Sequence, residues 1–176
     1  MADAVRRLDK TFDLKEAAHW MAILAMNQYG IFLASLTPKA KLAESLAEAS
    51  TYAGRGYPSI LLPYKILREE NPVKASWEAT SDSISAYLAW RLKASSLILL
   101  KDVDGIYEPP YPKGKLLPIV SVEQLEKWRG KTCVDEELPK LLSKYKIECL
   151  VVNGLHPSQV EKALRGLPVK GTKITV

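Results

Sequence analysis

The residues of this sequence best placed to do chemistry sit at two ends of one helix–strand unit. Thr80, Ser81, Asp82 and Ser83 form a short polar entry to a helix, and Lys101, Asp102, Val103, Asp104 and Gly105 form a charged turn after a strand. An acid in the first turn of a helix is favourable with the helix dipole, by about 0.3–1 kcal/mol, and Thr80 or Ser81 has the hydroxyl of an N-cap. Asp82 is therefore either an ordinary first-turn acid or a group that organises charge in a site. Lys101 is either a solvent-facing lysine at a strand end or a point charge for phosphate oxygens. Asp102 and Asp104 suit a solvated turn equally with a ribose or Mg²⁺-bound water. Gly105 would let the backbone turn tightly or approach a ligand.

The elements around these residues give them a common address. Ile84, Leu88 and Leu92 recur at helical spacing, which predicts a helix running to about Ala94. Leu97 to Leu100 is apolar on both faces, as in a parallel strand sandwiched between helices. Ligands of such sheets lie beyond the carboxyl ends of the strands, which is where Lys101 to Gly105 fall. A second buried strand is predicted over Ile147 to Val152, and Asn153-Gly154 turns the chain at its carboxyl end.

Before this unit, the pattern predicts a helix from Met1 to about Lys10 and a long helix from Leu14 to Leu36. The long one is apolar nearly all round and so expected to be buried on most faces. It holds His19, which by itself reads as a core histidine with one ring nitrogen satisfied by a backbone carbonyl. A helix over Pro38 to Ala53, a strand over Ser59 to Tyr64 and a polar connection over Leu67 to Val73 follow. After the unit, Ser121-Val122-Glu123-Gln124 is a capping-box pattern, and Asp135 or Glu136 opens the next helix. A helix over Ser158 to Arg165 and a short strand led by Gly171-Thr172 close the chain.

The block Ala79 to Tyr107 resembles the nucleotide-binding half of the amino acid kinase superfamily, which includes aspartokinases, acetylglutamate kinases and uridylate kinases. The resemblance lies in Asp82, the Ala-containing helix, Leu97 to Leu100, the turn Asp102-Val103-Asp104-Gly105 and the pair Ile106-Tyr107. The segments from His19 to Met26, Leu61 to Tyr64, Ser76-Trp77 and Val152 to Gly154 resemble an archaeal branch that phosphorylates an aminomethylfuran methyl phosphate in methanofuran synthesis. The resemblance implies a three-layer αβα sandwich with a mainly parallel central sheet. It implies a single domain in which 1–75 is the remainder of the acceptor-side half and 76–176 the nucleotide-binding half. It implies an ATP- and Mg²⁺-dependent kinase acting on a small phosphorylated acceptor.

The implied roles follow residue by residue. Asp82 would organise the cationic groups at the transferred phosphoryl group, with Lys101 neutralising charge. Thr80 and Ser81 would hold the acceptor's phosphate, and His19, Met26 or Asn27 would face the acceptor pocket or a subunit interface. The turn Asp102 to Gly105, Tyr107 against the base, Lys113 or Lys115, and Asn153-Gly154 would seat the nucleotide. One departure stands out. The superfamily opens with a Lys-Gly-Gly-Ser strand and a later run of glycines, and this sequence starts at the helix expected to follow them. Three expectations compete: an N-terminal truncation whose missing part lies upstream, a second polypeptide supplying it, or a non-catalytic nucleotide-binding relative. A kinase for another acceptor, of uridylate or isopentenyl phosphate type, is a further alternative.

Composition narrows the rest. At 47% hydrophobic and 26% charged residues, the sequence is that of a soluble globular protein, long enough at 176 residues for a real core. The net charge of +5 is scattered with no basic run interleaved with aromatics, which argues against nucleic acid and suits small anionic substrates. Cys133 and Cys149 make neither a disulfide framework nor a metal cluster and are expected to be reduced, as in the cytoplasm. The longest apolar run is broken by Asn27, Gln28 and Gly30, so no membrane span is expected. The apolar Leu14–Leu36 helix suggests a homo-oligomer.

Overall fold

Helix α1 (Ala2–Phe12) ends at Asp13, whose left-handed backbone lets its N–H return to the Asp9 carbonyl. The computed structural model describes residues 1–111 and 113–176, so Pro112 of the predicted proline loop lies outside the described residues. Contacts divide the chain into two units, residues 1–77 and 78–176.

In the first unit, α1 packs on α2 (Glu16–Leu36). The unit's last residue is tied back to α1: the Trp77 indole donates to Asp9 Oδ2 at 2.7 Å, and the Arg6 guanidinium sits 4.7 Å from the Trp77 ring centre. Helix α2 is not buried on most faces. Ala18, His19, Ile23, Ala25 and Gly30 turn inward, whereas Tyr29, Phe32, Leu33 and Leu36 form an exposed stripe at helical spacing. At Gly30 the helix comes so close to Ile60 and Leu62 that a Cβ would lie 2.8 Å from the Leu62 side chain.

The helix expected over Pro38 to Ala53 is instead a strand and a shorter helix. Strand β1 (Lys41–Ala43) pairs in parallel with β2 (Ser59–Leu61), and α3 (Leu46–Gly54) crosses between them. The reason is a stop signal: Ser45 accepts the N–H of Glu48, and Glu48 reaches back to the N–H of Glu44. This reciprocal cap starts the helix late and leaves Leu42 and Ala43 to pair with Ile60 and Leu61. The strand expected to reach Tyr64 stops at Leu61. Pro63, with its φ preset, begins α4 (Pro63–Glu70), and this helix replaces the polar connection because Ile66 and Leu67 bury its inner face.

In the second unit, α5 (Ser81–Arg91) leads into β3 (Leu97–Lys101). Strand β4 (Ile119–Ser121), absent from the sequence reading, runs into α6 (Val122–Lys127) through the predicted capping box of Ser121 and Gln124. Then come α7 (Leu138–Tyr145), β5 (Cys149–Asn153), α8 (Pro157–Leu164) and β6 (Gly171–Thr175). The sheet order is β3-β5-β6-β4; β3 is parallel to β5 and β4 to β6, while β5 and β6 are antiparallel. Leu97 and Leu99, Cys149 and Val151, Val120 and Ile174 share one core with Ala86 of α5, Leu125 of α6, and Leu138 and Leu142 of α7. Ile98 and Leu150 face the other way, toward α8. Strand β3 is thus not buried on both faces: Leu100 is 53% exposed. Among the described residues, no helix is long and apolar enough to cross a membrane.

Candidate functional site

Registry places the charged residues. In the parallel pair β3–β5, Lys101 lies opposite Asn153, so both strands end at one level. Helix α5 packs beside β3 and α7 and brings its first turn to that end of the sheet. Asp82, in that first turn, is only 5% exposed. Lys101 Nζ donates to both its oxygens, at 2.8 and 2.7 Å. Burial pushes the Asp82 carboxyl above its ordinary range, and the Lys101 ammonium opposes that rise. The result is a nearly buried pair that carries no net charge when both partners are ionised.

Asp135 completes the arrangement, and the sequence reading saw in it only a helix-opening acid. Its backbone N–H donates to Asp82 Oδ2 at 3.1 Å. Its carboxylate accepts from the Thr80 N–H at 2.8 Å, the Thr80 hydroxyl at 3.0 Å, the Ser83 N–H at 2.9 Å and the Ser83 hydroxyl. It also accepts from the N–H of Leu138 at 2.9 Å. Thr80 is the N-cap residue of α5 but its hydroxyl accepts no cap bond, because the Ser83 N–H that it would accept goes to Asp135 instead. Ser81 is exposed at the first helical position. The only sequence signal for Asp135 was its place three residues ahead of Leu138.

The turn after β3 is held by side chains of the neighbouring strands. Asp104 accepts from Asn153 Nδ2 at 3.0 Å and pairs with Lys170 at 2.6 Å, and both hold its carboxyl below its ordinary range. Asn153 in turn accepts the N–H of Leu155, and the Gly154 N–H donates to the Lys101 carbonyl at 2.7 Å. Gly105 has φ of 156°, and a Cβ there would lie 2.5 Å from Thr172 Oγ1. Thr172 is fully buried; its hydroxyl accepts the Ile106 N–H at 2.8 Å and donates to the Leu117 carbonyl at 2.5 Å. Asp102 is exposed and Val103 half-buried. Cys133 donates to the Gly105 carbonyl, and burial pushes its thiol up to about 11.

Tyr107 bridges to Leu116, and its ring meets Tyr111 edge-on at 6.5 Å. Burial pushes the Tyr111 hydroxyl up. Lys113 and Lys115 are exposed on the same excursion. A cleft of about 250 Å³ is lined by Asp104, Lys170, His156, Ser158 and Gln159, four of which sequence reading had not assigned to any site. The structure thus brings Thr80, Ser81, Asp82 and Lys101 together, and Asp104 together with Asn153. His19 belongs to the first unit, where it is buried against Trp20 at 5.0 Å, and burial lowers its pKa. Asn27 of the same helix caps α4 by accepting the Tyr64 N–H at 3.1 Å.

Comparison with known proteins adds an independent line. The profile described as the amino acid kinase family matches residues 18–153. The chain is 36% identical over 174 residues to the [5-(aminomethyl)furan-3-yl]methyl phosphate kinase of Methanocaldococcus jannaschii, covering 98% of this chain and 78% of that protein. It is 28% identical over 138 residues to the isopentenyl phosphate kinase of Methanothermobacter thermautotrophicus, covering 71% of this chain and 51% of that one. Among solved structures, uridylate kinase from Archaeoglobus fulgidus superposes with a TM-score of 0.69 at 23% identity, over 98% of this chain and 78% of the other. UMP kinase from Ureaplasma parvum gives 0.73 at 16% identity, over 97% and 76%. At those identities the structural likeness bears on the fold, an α/β sandwich with mixed, mostly parallel sheets.

Proposed function

The chain belongs to the amino acid kinase family and is a phosphotransferase, and from this we propose that it moves the γ-phosphoryl group of ATP onto the phosphate of a small acceptor, giving a diphosphate. The acceptor we propose is [5-(aminomethyl)furan-3-yl]methyl phosphate, the substrate named for the 36%-identical relative, which puts the reaction in methanofuran synthesis. The observation that carries the reading is the Lys101–Asp82 pair at the common end of β3 and α5.

The chemistry asked of that pair is modest. An acceptor phosphate is already ionised, so no strong base is needed. Phosphoryl transfer depends mainly on positioning and charge neutralisation. Lys101 places an ammonium where donor phosphates would end, and Asp82 fixes its direction. Ser81, exposed at the start of α5, offers its hydroxyl and the helix N-terminus to the acceptor's phosphate. Thr80 supports that turn from behind, since its donors are committed to Asp135. Asp102 to Gly105, Tyr107, Lys113 and the Asn153-Gly154 turn would line the nucleotide. Among the described residues no three His, Cys, Asp or Glu side chains gather as metal ligands. A Mg²⁺ ion would come with the donor phosphates and their waters and would neutralise developing charge.

The test is a panel of phosphorylated acceptors with MgATP, read by ADP release and by ³¹P NMR for a new diphosphate. Turnover with the aminomethylfuran phosphate well above that with UMP or isopentenyl phosphate supports the reading. A preference for isopentenyl phosphate, which the 28%-identical relative makes the second reading, would move the acceptor assignment and leave the site roles standing.

A further inference from the structure

One residue outside α5 decides how that helix begins. Asp135 Oδ2 gathers the Thr80 N–H, the Thr80 hydroxyl and the Ser83 N–H, and Oδ1 gathers the Ser83 hydroxyl and the Leu138 N–H. The same carboxylate therefore caps two helices, α5 and α7, while the residue's own N–H holds Asp82 Oδ2. With five protein donors on its two oxygens, it has no capacity left for a substrate. We propose that Asp135 is the positioning residue of this site: it locks the first turn of α5 so that the Asp82 carboxylate presents both oxygens to Lys101. The proposal rests on the phosphoryl-transfer reading for its effect on rate, though not for its geometry.

The segment carrying Asp135 is itself pinned. The Arg129 guanidinium pairs with Glu78, Glu136 and Glu137 at 2.9, 2.5 and 3.3 Å. The Glu137 N–H donates to the Glu78 carbonyl at 3.2 Å. The approach to α5 and the approach to α7 are thereby fastened to each other on both sides of Asp135. A first turn held this way fixes Asp82 by two routes, through the helix cap and through the direct N–H contact. Asp82 is faced by the Lys101 ammonium from β3, and by the Asp135 carboxylate and the Cys133 thiol from the segment ahead of α7.

Asp135→Ala is the informative variant, because it removes both caps. Asp135→Asn is its conservative partner: an amide oxygen in the Oδ2 place keeps the Thr80 and Ser83 N–H bonds of α5, while the amide nitrogen in the Oδ1 place opposes the Leu138 N–H, so the α7 cap alone is lost. In the full chain we expect Asp135→Ala to lower kcat about 10–100-fold, with KM for ATP and acceptor each within about threefold, because alignment and not binding is disturbed, and Asp135→Asn to recover most of that loss. Should Asp135→Ala fail to fold, the Asn variant decides alone, and a kcat more than about tenfold below the wild type there overturns the proposal. A second readout does not need turnover. Hydrogen exchange of the Ser83 N–H should speed up in Asp135→Ala and stay near the wild type in Asp135→Asn. A wild-type kcat or an unchanged Ser83 exchange in Asp135→Ala overturns the proposal. A wild type inactive on every acceptor would defeat the functional reading, while the Ser83 exchange would still decide the positioning.

Discussion

Lys101 reaches from the end of β3 to both oxygens of Asp82 in the first turn of α5, at 2.8 and 2.7 Å, and neither partner is more than 19% exposed. Removing one partner of so buried a pair leaves the other uncompensated, at a cost of about 3–5 kcal/mol where burial is complete and less here. Lys101→Met and Asp82→Asn should each lower kcat by about 10²–10³ through lost charge organisation. The double variant should cost little more than either single one, because the pair acts as a unit. Steady-state kinetics on the three variants checks this. Full additivity would mean that the two side chains act separately.

Burial holds the Asp82 carboxyl above its ordinary value of 3.8, and this gives stability a pH slope. Between 3.8 and the raised value, the folded protein binds a proton that the unfolded chain has released. The contribution of Asp82 is therefore complete below 3.8 and declines as pH climbs through the raised value. Asp82→Asn cannot titrate there. Urea unfolding from pH 3 to 7 should show the wild type losing ground to the variant as pH rises. A difference that stays flat would mean that Lys101 fully offsets the burial.

Much of this arrangement was legible in the sequence, for local reasons. The helix–strand unit from Ser81 to Lys101, the capping box at Ser121 and the turn at Asn153-Gly154 each carry their own signals within a few residues. What escaped depends on partners distant in sequence. Asp135 lies 55 residues from Thr80, and nothing near either residue announces the bond. Strand β4 is three residues long and exists through its pairing with β6. The stretch from Pro38 to Ala53 has helix-forming composition, yet Ser45 and the pairing of β1 with β2 override it.

The turn that would seat the nucleotide rests on Thr172, whose hydroxyl is the shared partner of the Ile106 N–H and the Leu117 carbonyl. Thr172→Val keeps the shape and strands both backbone groups in a fully buried place. Each such group costs about 1–3 kcal/mol. Gly105→Ala attacks the same point from the other side, by pressing a Cβ on the Thr172 hydroxyl at a positive φ. Both variants should lower the urea midpoint and raise KM for ATP more than they lower kcat. Equal effects on the acceptor KM would mean that the turn does not serve the nucleotide.

The exposed stripe of α2 remains, and it bears on assembly. Tyr29, Phe32, Leu33 and Leu36 recur at the spacing of one helical face, each at least 36% exposed, with the Tyr29 and Phe32 rings 6.0 Å apart. A helix apolar on all sides is normally covered on all sides. We propose that a second copy of the chain covers this face, since a two-fold axis across one helix brings the same apolar stripe to itself. Sedimentation equilibrium should then give a mass of at least two chains of 19.6 kDa. Phe32→Glu with Leu36→Glu places two like charges on each side of that axis, so the pair should shift the protein to a monomer. The substitutions lie on solvent-facing positions, so the far-ultraviolet spectrum should not change. A wild type that sediments as a monomer across micromolar concentrations would leave the stripe without this role.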